Sequence, residues 1–385
     1  MHTHRRLAFR AMLPLAALCL DPADSRACSP DDFASLAAAT SYSASAAATQ
    51  AAPGSAWSLR GTLAVPRQEV AVAELDGLIY VVGGIDGTPA FLSSVEIYDP
   101  DSDSFSAGPP LPVPLHHTTA TAAGGKLYVI GGWSDFFATP LDVVYELDPQ
   151  VGSWVAKTGM PSARGSPAAA ALGGRIYVAG GWPSARSQDF AVYDPSTDTW
   201  QTLSDLPSGR NHLALAAAGG RIYAVGGRTA LTAGVGNVAT LDSYDPATGV
   251  WSTAASLPRA RGGLAAVGYR RFVFAFGGEG NGANPDGTFE DADVYDSGLD
   301  TWTTLEPMPT PRHGIGAAVQ AGLIHIPGGG PIENFSVTNA HEALDVAAGL
   351  GFTIPILPVG GGIALGLALA MAAGCSALRT RASIK

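Results

Sequence analysis

The chain has 385 residues, 46% of them hydrophobic, with 22 Lys plus Arg against 33 Asp plus Glu and a formal net charge of −11. That acidic balance excludes the basic surface of a nucleic-acid binder. The three cysteines, Cys19, Cys28 and Cys375, all lie near the chain ends, which excludes a disulfide framework or a thiolate metal cluster between them.

In chain order, residues 1–27 have the form of a signal peptide: basic "MHTHRRLAFR", apolar "AMLPLAALCL", and small-residue "SRA" ending at Ala27. Residues 28–56 are rich in Ala, Ser and Thr and read as a linker. From there one phrase recurs: "GLIYVVGGI", "GKLYVIGGW", "GRIYVAGGW" and "GRIYAVGGR", with looser copies "RFVFAFGGE" and "GLIHIPGGG". The glycine pairs begin at Gly83, Gly131, Gly180, Gly226, Gly277 and Gly328, in steps of 48, 49, 46, 51 and 51. A period this even describes an array or closed ring of small units.

Each unit continues with an aspartate turn, such as "VYDPSTDTW", then a Leu/Met-Pro and, in most units, an Arg. Asp bonds its own backbone and Pro presets φ, so the turn separates two short strands. The apolar run before the glycines is hydrophobic on both strand faces, so a neighbouring unit must cover each face. About four short strands per unit follow from the turn spacing. The acidic "DPDSDS" at 99–104 superficially suggests a calcium loop, but "DPSTDT" and "DPATGV" fill the same slot, which marks it as an outer turn.

These units resemble kelch repeats over residues 57–345, through the Gly-Gly pair, the aspartate turn, the spaced Trp and the Pro-x-x-Arg. The resemblance implies an all-β, six-bladed β-propeller. The outer-strand aromatic appears as Phe105, Trp154, Trp200, Trp251 and Trp302, one fewer than the glycine pairs. Trp57 precedes Arg67 by ten residues, as Trp154 precedes Arg164 and Trp200 precedes Arg210. Residues 57–65 are therefore predicted to form the outer strand of the last blade.

After 345, residues 346–358 read as a linker containing "IPILP", and 359–385 as a hydrophobic helix with a basic end. The uncharged stretch Val359–Leu378 is long enough to span a bilayer, and Arg379, Arg381 and Lys385 favour the cytoplasmic side. The tail resembles bacterial sorting signals of the PEP-CTERM, IPTL-CTERM and GlyGly-CTERM kinds. Export to the cell envelope, cell surface or medium is expected, with the membrane engaged through this tail.

Antiparallel geometry puts the second-to-third-strand loops and the Arg-bearing connections on one face. The candidate binding residues there are Arg164, Arg210, Arg261 and Arg312 in the Arg slot, and His116 and His117 where the second unit has Leu115 instead. The loops add Trp133, Phe136, Phe137, Trp182 and Arg228. The resemblance implies that such arginines can bind acidic peptides, while aromatics suit a glycan. The expected protein is a monomeric binding module for a protein or polysaccharide, without catalytic residues, cofactor or metal. The alternative is a carbohydrate-active enzyme resembling the sialic-acid mutarotases, which would need a titratable pair converging in the central pocket.

Overall fold

The computed structural model describes residues 54–351; the signal-like segment, most of the linker and the C-terminal tail lie outside the described residues. Six four-stranded antiparallel sheets follow one another along the chain. Strands a to d of blade 1 are Ala71–Leu75, Leu78–Val82, Val95–Asp99 and Ser104–Gly108. Blades 2 to 5 begin with strands a at Thr119–Ala123, Ala168–Leu172, Ala214–Ala218 and Ala265–Tyr269.

Blade 6 takes strands a to c from Ala318–Gln320, Leu323–Pro327 and His341–Asp345, and its outer strand from Trp57–Leu59. Trp57 pairs with Leu344, packs edge-on to Phe276, and donates its indole N–H to the Glu306 carbonyl at 3.0 Å. The observed strand is shorter than residues 57–65: Arg60 and Leu63 still donate to the His341 and Asn339 carbonyls, but the chain leaves regular strand geometry as it turns inward to the buried Leu63. The first and last parts of the described chain thus share one sheet, which closes the ring.

The period-2 pattern explains the packing. In blade 1, Ala71, Ala73, Tyr80 and Val82 pack towards blade 2, while Val72, Ile79, Val81 and Tyr98 pack towards blade 6. The same arrangement gives each pair of neighbouring blades its own apolar core. Each outer-strand Trp also donates to a carbonyl just after the preceding blade: Trp154 to Pro109, Trp200 to Thr158, Trp251 to Ser204 and Trp302 to Ala255, at 2.7–2.9 Å.

Small residues dominate the six innermost strands, so they leave an axial channel of about 430 Å³. After Asp345, a four-residue helix, α1 (Val346–Gly349), is capped by the Asp345 carboxylate. No helix among the described residues is long and apolar enough to cross a membrane.

Candidate binding site at the axial mouth

The Gly pairs end the second strands because backbone meets backbone there. In blade 2, Gly131 and Gly132 have φ of +64° and +100°. A Cβ on either would come within 2.7 Å of a carbonyl oxygen, of Arg164 and His116 respectively. The residue after each pair then bridges to the residue after the Arg slot: His116 to Trp133, Gly165 to Trp182, Asn211 to Arg228, Gly262 to Glu279 and His313 to Gly330. Gln68 and Ile85 pair in the same way in blade 1. Loops and connections therefore meet on one face around the channel mouth.

The slot arginines do not form the surface expected of them. Arg67, Arg210, Arg261 and Arg312 are 0% exposed and Arg164 is 1% exposed. Four of them pair with an acid at the second position of strand c in their own blade: Arg67–Glu96 at 2.7 Å, Arg210–Asp242 at 2.9 Å, Arg261–Asp293 at 2.8 Å and Arg312–Glu342 at 2.9 Å. Arg164 has Ala191 at that position and instead donates to the carbonyls of Gly180 and Asp189 at 3.0 and 2.7 Å. Burial lowers its pKa to about 10, with Asp189 opposing the shift, so the guanidinium stays charged at neutral pH.

The sequence motif identified a cation but not its direction: each guanidinium turns into its own blade, where the planar fork finds a carboxylate or carbonyls. Arg228 is also buried, against the Glu279 carboxylate. Blade 2 lacks both partners of the usual pair, with Leu115 in the Arg slot and Tyr145 in the acid slot, both buried.

Two residues beyond each Arg slot, a second ring surrounds the axis: Glu69, His117, Ser166, His212, Gly263 and Gly314. All six have positive φ, from +48° to +66°. Backbone bonds link neighbours, including His117 N to Glu69 O, Ser166 N to His117 O and Gly314 N to Gly263 O. Glycine suits this backbone; an L-residue costs about 1–2 kcal/mol there. Four blades nevertheless carry polar side chains, which line a pocket of about 70 Å³.

His117 Nε2 lies 3.2 Å from Glu69 Oε2, and Ser166 Oγ 3.3 Å from His212 Nε2. Burial raises the Glu69 carboxyl to about 7 and holds His117 and His212 well below the usual histidine range. Glu69, Ser166 and His212 are not among the residues expected from sequence. The available signal was a column, two after the Arg slot, that reads Glu, His, Ser, His, Gly, Gly.

An aromatic cap sits beside this ring. Phe91 stacks on His116 at 4.5 Å and meets Phe136 edge-on at 4.8 Å; Phe137 meets His117 at 5.1 Å. Phe136 is 38% exposed. Trp133, expected as a surface anchor, is 0% exposed: its ring lies over Gly165, where an added Cβ would come within 2.1 Å. It therefore supports the cap from beneath. Trp182 is partly buried, and Arg186 in the same loop is exposed beside Asp189.

Comparison with known proteins agrees with this architecture. Residues 48–227 match the KLHDC2/KLHL20/DRC7 Kelch-repeats domain, and residues 209–258 match the Kelch motif. Residues 48–258 thus carry kelch repeats, and the described chain folds as a six-bladed β-propeller. It is 32% identical over 294 residues to Kelch-like protein terF of Aspergillus terreus, covering 71% of this chain and 63% of that protein. It is 44% identical over 82 residues to F-box/kelch-repeat protein At1g67480 of Arabidopsis thaliana, covering 21% of each. The chain thus spans less than two thirds of the length of these relatives. The solved structure titled "Structure of YjhT" superposes with a TM-score of 0.60 at 17% identity, covering 72% of this chain and 95% of that one, which is a likeness of fold.

Proposed function

We propose that this protein is an exported, surface-associated binding protein whose ligand docks on the face around the axial mouth, centred on blades 1 to 3. The observation that carries this reading is the aromatic cap, with half-exposed Phe136 beside a polar mouth. Kelch propellers commonly mediate protein interaction. The buried slot arginines leave few cations for an acidic peptide, so aromatic stacking and neutral polar groups do the recognising. That chemistry favours an extracellular glycan or an apolar protein segment. Export rests on the end segments of the sequence.

The test is a screen of the full chain on glycan and peptide arrays at low and high salt. A ligand whose binding is insensitive to salt and lost in F91A/F136A supports the reading. Binding that survives that variant, or that collapses in salt, contradicts it.

One observation favours a second reading, a carbohydrate-active enzyme such as a mutarotase-like epimerase. Glu69 and His117 are a titratable pair at the channel mouth, and a carboxyl near 7 is poised for proton transfer. Acceleration of anomer exchange by the wild type, lost in Glu69→Gln, would favour this reading; equal rates with and without protein would remove it.

A further inference from the structure

Hydrogen-bond partners fix which ring nitrogens at the axial mouth carry protons. His116 Nε2 lies 2.7 Å from the Asp135 carbonyl, so it donates there and its Nδ1 is an acceptor. That Nδ1 is 2.7 Å from His117 Nδ1, which must therefore donate. His117 Nε2 is left with a bare lone pair, facing Glu69 Oε2. His212 Nδ1 lies 2.6 Å from Asn211 Oδ1 and donates to it, which leaves His212 Nε2 unprotonated as well, accepting from the Ser166 hydroxyl at 3.3 Å. Two unprotonated imidazole nitrogens and a carboxyl group thus converge in one pocket, with the Ser166 hydroxyl beside them.

Each imidazole has its outer N–H anchored by an acceptor, the arrangement that orients metal-ligating histidines. The backbone adds an independent argument. Blades 5 and 6 have glycine at the equivalent left-handed positions, so the scaffold does not require Glu, His or His there.

We propose that Glu69, His117 and His212 form a binding site for a divalent transition-metal ion, Zn²⁺ being the best match to the donor set. The donor atoms all lie within 4.8 Å of one another, with His117 Nε2 and Glu69 Oε2 3.2 Å apart. Adjacent donors around tetrahedral zinc, with bonds of about 2.1 Å, are about 3.4 Å apart. The remaining pairs must therefore close by no more than about 1.4 Å. The nearby Arg228 guanidinium disfavours positive charge at His117 and His212, and its Glu279 partner opposes that field at Glu69, so a cation must be held by the donor set against this repulsion.

Three protein ligands leave a coordination position open, as in zinc sites that exchange a ligand rather than structural ones. Gly263 and Gly314 complete the ring without side chains. A side chain at Gly314 is excluded in any case, since its Cβ would come within 2.6 Å of Glu69 Oε1. The open position takes an oxygen donor, such as water or a hydroxyl of a bound ligand, with Ser166 Oγ in reach of it. This use of Glu69 as a ligand excludes its use as a proton donor, so metal binding and the epimerase reading compete. Metal binding does not depend on the glycan or protein ligand.

The test uses the tag-free full chain stripped with a chelator and titrated with Zn²⁺ by calorimetry, and with Co²⁺ by visible absorption. One Zn²⁺ per chain at micromolar or tighter Kd, and tetrahedral Co²⁺ bands, are expected. Glu69→Gly, His117→Gly and His212→Gly install the residue the backbone favours. They should keep or raise the metal-free Tm while weakening Zn²⁺ binding by at least about 100-fold. His2→Ala with His4→Ala should leave binding unchanged. No stoichiometric binding by the wild type, binding unaltered in the three glycine variants, or binding lost in the His2/His4 variant would overturn the site.

Discussion

Blade 2 and blade 4 solve the same packing problem with different chemistry. Blade 4 closes its upper end with Arg210 on Asp242, both buried; blade 2 puts Leu115 and Tyr145 in the same two slots. Both blades have the same strand register at this end, Leu241 opposite Val225 and Val144 opposite Ile130. The ion pair is thus one of three ways to fill the slot, since blade 3 sets Arg164 on backbone carbonyls, and the buried arginines are scaffold. Blade 2 also has the departures that do not serve the scaffold: adjacent histidines, the Trp133 support and the exposed Phe136.

The largest expected effect breaks the charged solution. Arg210→Leu alone leaves Asp242 buried without its counter-charge and should cost about 3–5 kcal/mol in urea unfolding. Trp57→Ala attacks the joint of the ring instead. It removes a buried indole and its bond to Glu306, and should cost a similar 3–5 kcal/mol.

Acid tests another buried polar cluster, at the joint of blades 6 and 1. Burial lowers His325 to about 4 and His341 to about 3. The unfolded chain protonates both below about 6.5, so stability is full above that pH and falls as pH drops towards 4. The expected slope is up to about 1.4 kcal/mol per pH unit for each histidine. A flat stability between pH 6.5 and 4 would show that these rings are not held neutral.

The sharpest comparison transplants one solution into the other. Arg210→Leu with Asp242→Tyr copies blade 2 into blade 4 and should return to within about 1 kcal/mol of wild type, since apolar replacements of buried ion pairs are often neutral. The smallest effect is expected for Phe136→Ala, below about 1 kcal/mol, because the ring is half exposed.

The ring architecture was legible in the sequence because repetition amplifies weak local signals. Six glycine pairs and a ten-residue Trp-to-Arg spacing identify the blades and the closure by Trp57, which the pairing with Leu344 bears out. The site was less legible for a physical reason. A side chain in a repeat slot can point into its blade or out of it, and the spacing is the same in both cases. Arg164, Arg210, Arg261 and Arg312 point in, and so does Trp133. Glu69, Ser166 and His212 escape a sequence reading because they align with glycines in blades 5 and 6, and left-handed backbone at that column is visible only in three dimensions.

The proposed recognition surface is the loops of blades 1 to 3 at the axial mouth, and not the arginines. The direct measurement is the affinity, for a ligand found on the arrays, of two variants: Arg210→Leu/Asp242→Tyr, and Phe91→Ala/Phe136→Ala. Wild-type affinity is expected for the first and a loss of at least about tenfold, 1.4 kcal/mol, for the second. Loss of affinity in the arginine variant with the phenylalanine variant unaffected would contradict it.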